Sequence, residues 1–300
     1  MSEELSILHA PIDFKITKGF TNFGNTCFYN AALQSIFKCN DLIETLRNYS
    51  GDNKLLKFLK ITIQDYYLKP TVETIGPTLL LRAYKEMNSS YMGFTQEDAS
   101  ECLTYFLDNF DMATKSEGIN ISPMFDSKLS SNLTCPNCKY ESESGVSEKI
   151  IMLPIKSYNN FNQAIHNFLS EEILDNDNKW TCDRCKLSVS AIKKLIIKGT
   201  PKYLFIGLKR FEHEWNKETN SIKSSKINHD VLMSNDITIN TVNYKLTGSV
   251  HHTGSLRGGH YIYFHKFDDS WTLFNDDDIT SDIKKEIITT QGYIYLYERV

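Results

Sequence analysis

Gly19-Phe20-Thr21-Asn22-Phe23-Gly24-Asn25-Thr26-Cys27-Phe28-Tyr29-Asn30 is a turn-forming run rich in Gly and Asn that delivers one cysteine to the start of an amphipathic helix. Beyond Cys27 the apolar residues Tyr29, Ala32, Leu33, Ile36 and Phe37 recur at i, i+3, i+4, i+7 and i+8, one face of a helix. Cys27 therefore falls in the first turn, where unpaired N–H groups and the positive end of the helix dipole favour thiolate over thiol. The placement alone predicts a lowered thiol pKa, beside N–H groups able to receive an oxyanion.

Outward from this point, helical periodicity continues through Leu55 to Leu68, Thr74 to Met87 and Thr95 to Phe110, so residues 19–115 read as a helical lobe. In the last of these, Ala99, Cys102, Leu103, Phe106, Leu107 and Phe110 form a buried stripe, and Thr95-Gln96-Glu97-Asp98 fits a capping box with Asp in place of Glu. Asp98, Glu101, Tyr105 and Asp108 line up on the flank of that stripe, and by spacing alone they read as a solvated helix face.

From Phe125 the texture changes to short strands at Lys149 to Ile155, Ser188 to Ile197, Tyr203 to Phe211, Tyr244 to Val250 and Tyr261 to Lys266, with one helical insertion at Phe161 to Leu169. The aromatic run Gly292-Tyr293-Ile294-Tyr295-Leu296-Tyr297 is expected to dock into the same sheet. Asn216 to Asn228 and the first dozen or so residues read as weakly structured. The fold class is α+β.

Two constellations carry chemistry besides Cys27. Cys135-Pro136-Asn137-Cys138 and Cys182-Asp183-Arg184-Cys185 are C-x-x-C knuckles, and four thiolates at that spacing suit a tetrahedral Zn2+. A full shell of Cys135, Cys138, Cys182 and Cys185 leaves no open position, so the metal is expected to be structural, pinning an excursion at its base. In Val250-His251-His252-Thr253-Gly254-Ser255-Leu256-Arg257-Gly258-Gly259-His260, glycines lead into a histidine at the start of a strand, a placement suited to a general base. A hairpin with Trp271-Thr272-Leu273-Phe274-Asn275-Asp276 would bring a polar side chain to that imidazole. Either Asn275 or Asp276 could fix its tautomer.

The 300 residues, 41% hydrophobic and 23% charged with a net charge of -4, describe a globular chain and argue against nucleic acid as a partner. There is no apolar run long enough to cross a membrane. Met1-Ser2-Glu3-Glu4 lacks the order of a secretory signal, so a reducing compartment, cytoplasmic or nuclear, is expected for the seven cysteines.

These motifs, in this order, resemble the ubiquitin-specific protease family of papain-like cysteine deubiquitinases. Gly19 to Asn30 with Leu33-Gln34 is similar to its cysteine box, and Gly258-Gly259-His260-Tyr261 through Phe274-Asn275-Asp276 to its histidine box. Gln96-Glu97-Asp98-Ala99-Ser100-Glu101, the paired knuckles and Leu208-Lys209-Arg210-Phe211 resemble its Gln/Asp motif, zinc fingers and palm strand. The resemblance spans roughly residues 19–297 and implies a thumb (19–115), zinc-pinned fingers (120–200) and palm (201–300), behind an N-terminal extension at 1–18.

It further implies Cys27 as nucleophile, His260 as base, Asn275 as orienting residue, Asp276 as a second acidic position and Asn22 as an oxyanion donor. Gln96, Asp98 and Glu101, with Gly258 and Gly259, would receive the basic, glycine-ended tail of ubiquitin, while Tyr105 and Asp108 keep the solvated reading. Most members carry Asp where Asn275 stands. The implied activity is hydrolysis after the terminal glycine of ubiquitin by a monomeric enzyme. The rivals are a protease for another ubiquitin-like modifier and a non-catalytic ubiquitin-binding scaffold. Leu256-Arg257-Gly258-Gly259 repeats the four residues that end ubiquitin, which we read as coincidence, since a moving loop needs the glycines.

Overall fold

The structure, a computed structural model, describes residues 11–69, 71–87, 95–216, 219–255 and 258–300. The Leu256-Arg257 pair and residues 1–10 lie outside the described residues.

The aromatic strand Gly292–Arg299 sits in the middle of the large sheet. Among the described residues the strand order is 278–280, 270–275, 258–267, 242–255, 292–299, 203–209 and 150–154, with 236–239 also pairing to 242–255. Among the described strands of this sheet, only Ile150–Pro154 runs parallel to its neighbour, Tyr203–Lys209. Period-two alternation explains the burial: Ile294 and Leu296 enter a core shared with the helices, and Tyr295 and Tyr297 enter a second core on the opposite face. Tyr203 and Phe205 divide from Leu204, Ile206 and Leu208 in the same way. A strand apolar on both faces belongs inside a sheet covered on both sides.

The helical lobe covers the first face. Its innermost helix, Cys27–Phe37, is buried along its whole length against strand 258–267 and helix Ala99–Ser116. Lys54–Tyr67 begins at Asn53, whose side chain accepts from the N–H groups of Leu55 and Leu56. The segment read as helix from Thr74 divides: Thr74–Ile75 pairs in parallel with Gly19–Phe20, and the helix starts at Thr78. Pro77 disfavours helical backbone at the residue before it. Asn40–Leu46 is a helix the periodicity did not reveal.

The expected N-terminal extension is shorter than 1–18. Ile12 is buried, Gln34 donates to the Lys18 carbonyl at 2.7 Å and Lys38 Nζ to the Ile16 carbonyl at 3.0 Å. Buried donors on the first helix thus take their acceptors from residues 16–18.

A second, four-stranded sheet runs 141–148, 127–134, 191–199, 172–174 among the described residues. The fingers do not occupy 120–200 without interruption. Ile151 and Leu153 of strand 150–154, and Phe161 and Ala164 of helix Phe161–Phe168, instead fill the second core of the large sheet. Nor is the segment expected from 216 to 228 unstructured where it is described: Phe211–Asn216 and Ser221–Lys226 form an antiparallel ribbon with Trp215 opposite Ile222. Its polar composition hid a strand pair whose backbone bonds need no buried face.

Lys38, at the C-terminal end of the first helix, is 4% exposed and lies 5.0–5.8 Å from the centroids of four rings, Tyr66, Tyr67, Phe267 and Phe274. Burial lowers its ammonium from the ordinary 10.5 to about 7. Between those values the unfolded chain binds more protons at this site, so its contribution to stability rises with pH through the window. Lys38→Met should be most stabilised relative to the parent at or below pH 7, and the difference in denaturation midpoint should shrink as pH rises from there. Parallel urea melts across this range check it, and a pH-independent difference would count against the account.

Candidate active site

Cys27 opens its helix as expected, and Thr26 at the N-cap makes no side-chain capping bond, so the first N–H groups are not consumed by a cap. Thr26 Oγ1 instead donates to Asn22 Oδ1 at 3.1 Å and accepts from Phe23 N at 3.0 Å. The expected thiolate is not what this environment favours. Cys27 is 2% exposed, and burial pushes its thiol up, with the Asp276 carboxylate adding to the rise and the backbone N–H of Tyr261 opposing it. Desolvation outweighs the helix end. Among the described residues no hydrogen bond joins Cys27 to His260.

The hairpin of Gly258–Phe267 with Ser270–Asn275 brings His260 and Asn275 together, with Nε2 and Oδ1 2.5 Å apart. An amide oxygen only accepts, so Nε2 carries the proton and Nδ1 is left with its lone pair. Of the two candidate orienting residues, Asn275 is the one in hydrogen-bond contact. Asp276 Oδ2 lies 3.8 Å from Nε2 and accepts from Asn22 Nδ2 at 2.8 Å. Neighbouring histidines do not compete as bases. Burial lowers His251 to about 3 and His252 to about 4, the latter helped by the Lys226 cation.

Asn22 is held from two sides. Its Oδ1 accepts from Gly24 N at 3.0 Å and Thr26 N at 3.2 Å, and its amide nitrogen meets Asp276. Asn30, one turn after Cys27, donates to Asp276 Oδ1 at 2.8 Å. The cysteine-box resemblance gives Asn30 no role. The signal available in the sequence was a polar residue on a helix whose other positions are mostly apolar or small.

At the other side of the site the helix cap is Asp98 and not Thr95. Asp98 Oδ1 accepts from Ser100 N at 2.7 Å and Glu101 N at 3.3 Å, and Tyr293 Oη donates to the same carboxylate. A carboxylate at the N-cap serves the helix directly, which a threonine three residues earlier cannot. Gln96 makes a two-point contact across to the hairpin: its Nε2 donates to Gly259 O at 2.6 Å, and its Oε1 accepts from Gly259 N at 2.7 Å. Asp98 and Glu101 face Phe211, His252 and Tyr261 across a cleft of about 250 Å³.

The two glycines differ. A Cβ on Gly259 would lie 2.2 Å from His252 Nε2, whereas one on Gly258 would meet nothing within 4 Å. Lys226 Nζ ties the 211–226 ribbon to this hairpin by donating to the carbonyls of His252 and Gly254 at 2.9 and 3.0 Å. Arg210 of the palm signature is buried and donates to the carbonyls of Gly292, Ile227, His229 and Thr290.

Asp108 is exposed, as expected, and Tyr105 is half-buried. Together with Glu101 they line a second cleft whose far wall is Glu148, Ile150 and Met152, and burial pushes the Asp108 carboxyl up. Helix periodicity placed them on one flank. It could not show that a sheet edge approaches that flank.

The four knuckle cysteines converge, with all sulfurs within 4.8 Å of one another, Cys135 to Cys185 at 3.8 Å and Cys138 to Cys182 at 3.6 Å. Four thiolates at Zn–S bonds of about 2.3 Å would be spaced by roughly 3.8 Å. Each knuckle closes alike: Lys139 N to Cys135 O at 3.0 Å and Lys186 N to Cys182 O at 2.8 Å, with Lys139 and Lys186 both left-handed. The cluster has the donors and spacing to hold one metal ion.

A sequence profile described as Ubiquitin carboxyl-terminal hydrolase matches residues 18–297. The chain belongs to that family. Ubiquitin carboxyl-terminal hydrolase Usp2 of Drosophila melanogaster is 30% identical over 94% of this chain and 34% of its own length. Ubiquitin carboxyl-terminal hydrolase 4 of Arabidopsis thaliana is 26% identical over 93% of this chain and 92% of its own. The chain spans from about a third to about two thirds of the first relatives it matches. Ubp8 in the SAGA DUB module bound to monoubiquitin has the same fold, with a TM-score of 0.80 at 24% identity over 97% of this chain and 71% of Ubp8. No described helix is long and apolar enough to cross a membrane.

Because burial raises the Cys27 thiol above the ordinary 9.0, its alkylation by iodoacetamide in the free protein should keep accelerating as pH climbs past that value. Site-resolved mass spectrometry against pH measures this, and a rate that levels off near neutrality would show a preformed thiolate.

Proposed function

We propose that this chain is a thiol-dependent deubiquitinase that hydrolyses the isopeptide or peptide bond after the C-terminal glycine of ubiquitin. The observation that carries the proposal is the His260 to Asn275 contact, set against the buried end of the Cys27 helix in a member of this family. Related structures of the SAGA Ubp8 module are bound to monoubiquitin and to ubiquitin aldehyde, which supports ubiquitin as the partner.

In this reading the basic tail of ubiquitin enters the cleft at Asp98 and Glu101 and passes Gln96 and Gly259 to reach Cys27. Gly259 itself has no room for a side chain, because His252 and Thr253 of the paired strand fill that space. His260 Nδ1 takes the thiol proton, which offsets the cost of a buried thiolate, and Cys27 Sγ attacks the glycine carbonyl carbon. The N–H groups of the uncapped helix start and the second amide hydrogen of Asn22 receive the oxyanion. His260 then protonates the leaving amine. A water deprotonated by the same ring hydrolyses the thioester, returning the thiol and free ubiquitin.

Cys135, Cys138, Cys182 and Cys185 would hold one structural Zn2+, which supplies cross-linking of the fingers and takes no part in the reaction. Their soft sulfur donors, full shell and distance pattern support zinc over a hard cation.

A ubiquitin probe with a C-terminal electrophile should form a covalent adduct with the parent protein and none with Cys27→Ala. His260→Ala should lose about 10²-fold or more in capture rate, the range for a general base. Capture of a related Gly-Gly-ended modifier in place of ubiquitin would reassign the substrate, and no adduct with any probe would leave a binding scaffold. Separately, the purified protein should contain one zinc per chain, lost in Cys182→Ser with a fall in thermal midpoint. Metal analysis that finds none would refute the structural ion.

A further inference from the structure

We propose that Asn30 is a positioning residue of the hydrolytic site: it orients the Asp276 carboxylate so that Oδ2 is presented to Asn22 and the His260 ring. The inference rests on the roles given above to Cys27, His260, Asn22 and Asp276. Asn30 is 3% exposed, and its Nδ2 faces three acceptors, Asp276 Oδ1 at 2.8 Å, Phe20 O at 3.2 Å and Thr21 O at 3.4 Å. Turning the amide over would set Oδ1 against a carboxylate and two carbonyls, so its orientation is dictated chemically.

That orientation leaves Asn30 Oδ1 buried with no hydrogen-bond partner among the described residues. Stability alone would favour an apolar residue here, as at most other positions of this helix, since an unpaired buried acceptor is unfavourable. The backbone does not need the amide to dock the two segments, because Phe20 N already donates to Asp276 O at 2.8 Å. What Asn30 adds is direction. With Oδ1 of Asp276 taken, the second oxygen is the one left to meet Asn22 Nδ2 at 2.8 Å and to lie 3.8 Å from His260 Nε2. One turn of the Cys27 helix thereby sets two groups that act at the Cys27 carbonyl adduct.

The test is steady-state kinetics on ubiquitin bearing a C-terminal fluorogenic amide, for Asn30→Ala, Asn30→Asp, Asp276→Ala and the Asn30→Ala/Asp276→Ala pair. Asn30→Ala should lower kcat roughly 10- to 100-fold with KM nearly unchanged, within what a misplacement of about 1 Å costs. In the Asp276→Ala background the same change should cost no more than about twofold, since both act through one carboxylate. Full multiplication of the two losses, or an effect on KM alone, would overturn the inference.

Asn30→Asp keeps the side-chain shape and answers the question even where Asn30→Ala fails to fold. It opposes two carboxylates, and on acidification a shared proton restores a donor, so its activity relative to the parent should rise as the pH is lowered. A flat ratio would overturn the donor role. Impaired Asp276→Ala beside fully active Asn30→Ala would remove this inference alone. Fully active Asp276→Ala would remove the reading of Asp276 with it.

Discussion

Everything at this site depends on a backbone-to-backbone contact between opposite ends of the sequence. Gly19 and Phe20 lie against Asp276 and Asp277 so closely that a Cβ on Gly19 would stand 2.4 Å from the Asp277 Cα, and Phe20 N donates to Asp276 O. Only a residue without a side chain permits that approach. Through it, the loop that carries Asn22 and the helix that carries Cys27 acquire a fixed register against the strand that carries Asn275. Asp276, left-handed at φ 54, turns its carboxylate back across this seam. A shift of the seam would displace the thiol side and the imidazole side together.

At several ionisable groups around it, burial is the largest influence on protonation. Cys27 is raised, His251 and His252 are lowered, and Lys38 is brought close to neutrality beneath its rings. A site of low dielectric strengthens whatever charge a substrate creates, because water no longer screens it. The free protein therefore rests in an uncharged state at Cys27. In the proposed reaction, ionisation at Cys27 would need the His260 imidazole to take the proton.

Much of this architecture was legible from residue order. The helix period around Cys27, the glycines before His260 and the two knuckles each carry a local signal that survives into the fold, and the cysteines do converge. What could not be read depends on contacts between segments distant in sequence. The thiol pKa followed the burial of Cys27, information that a helix period does not contain. Asp108 met a strand edge contributed by residues 148–152. Ile150–Pro154 left the fingers for the large sheet because its apolar residues on both sides of the strand suit a doubly covered position, whereas the polar ribbon at 211–226 pairs through backbone alone. Local patterns report which face is apolar. They do not report what will cover it.

The bond from Lys226 to the carbonyls of His252 and Gly254 has a mechanical meaning. It fastens the exposed ribbon to strand 242–255, whose partner 258–267 carries His260, and Gln96 fastens that partner strand in turn to the segment leading into the helix capped by Asp98. Two elements held by separate contacts could shift independently of one another. With both carbonyls held by one ammonium, a displacement of the ribbon is passed directly to the strand that pairs with the His260 strand, so the two are built to shift as one body.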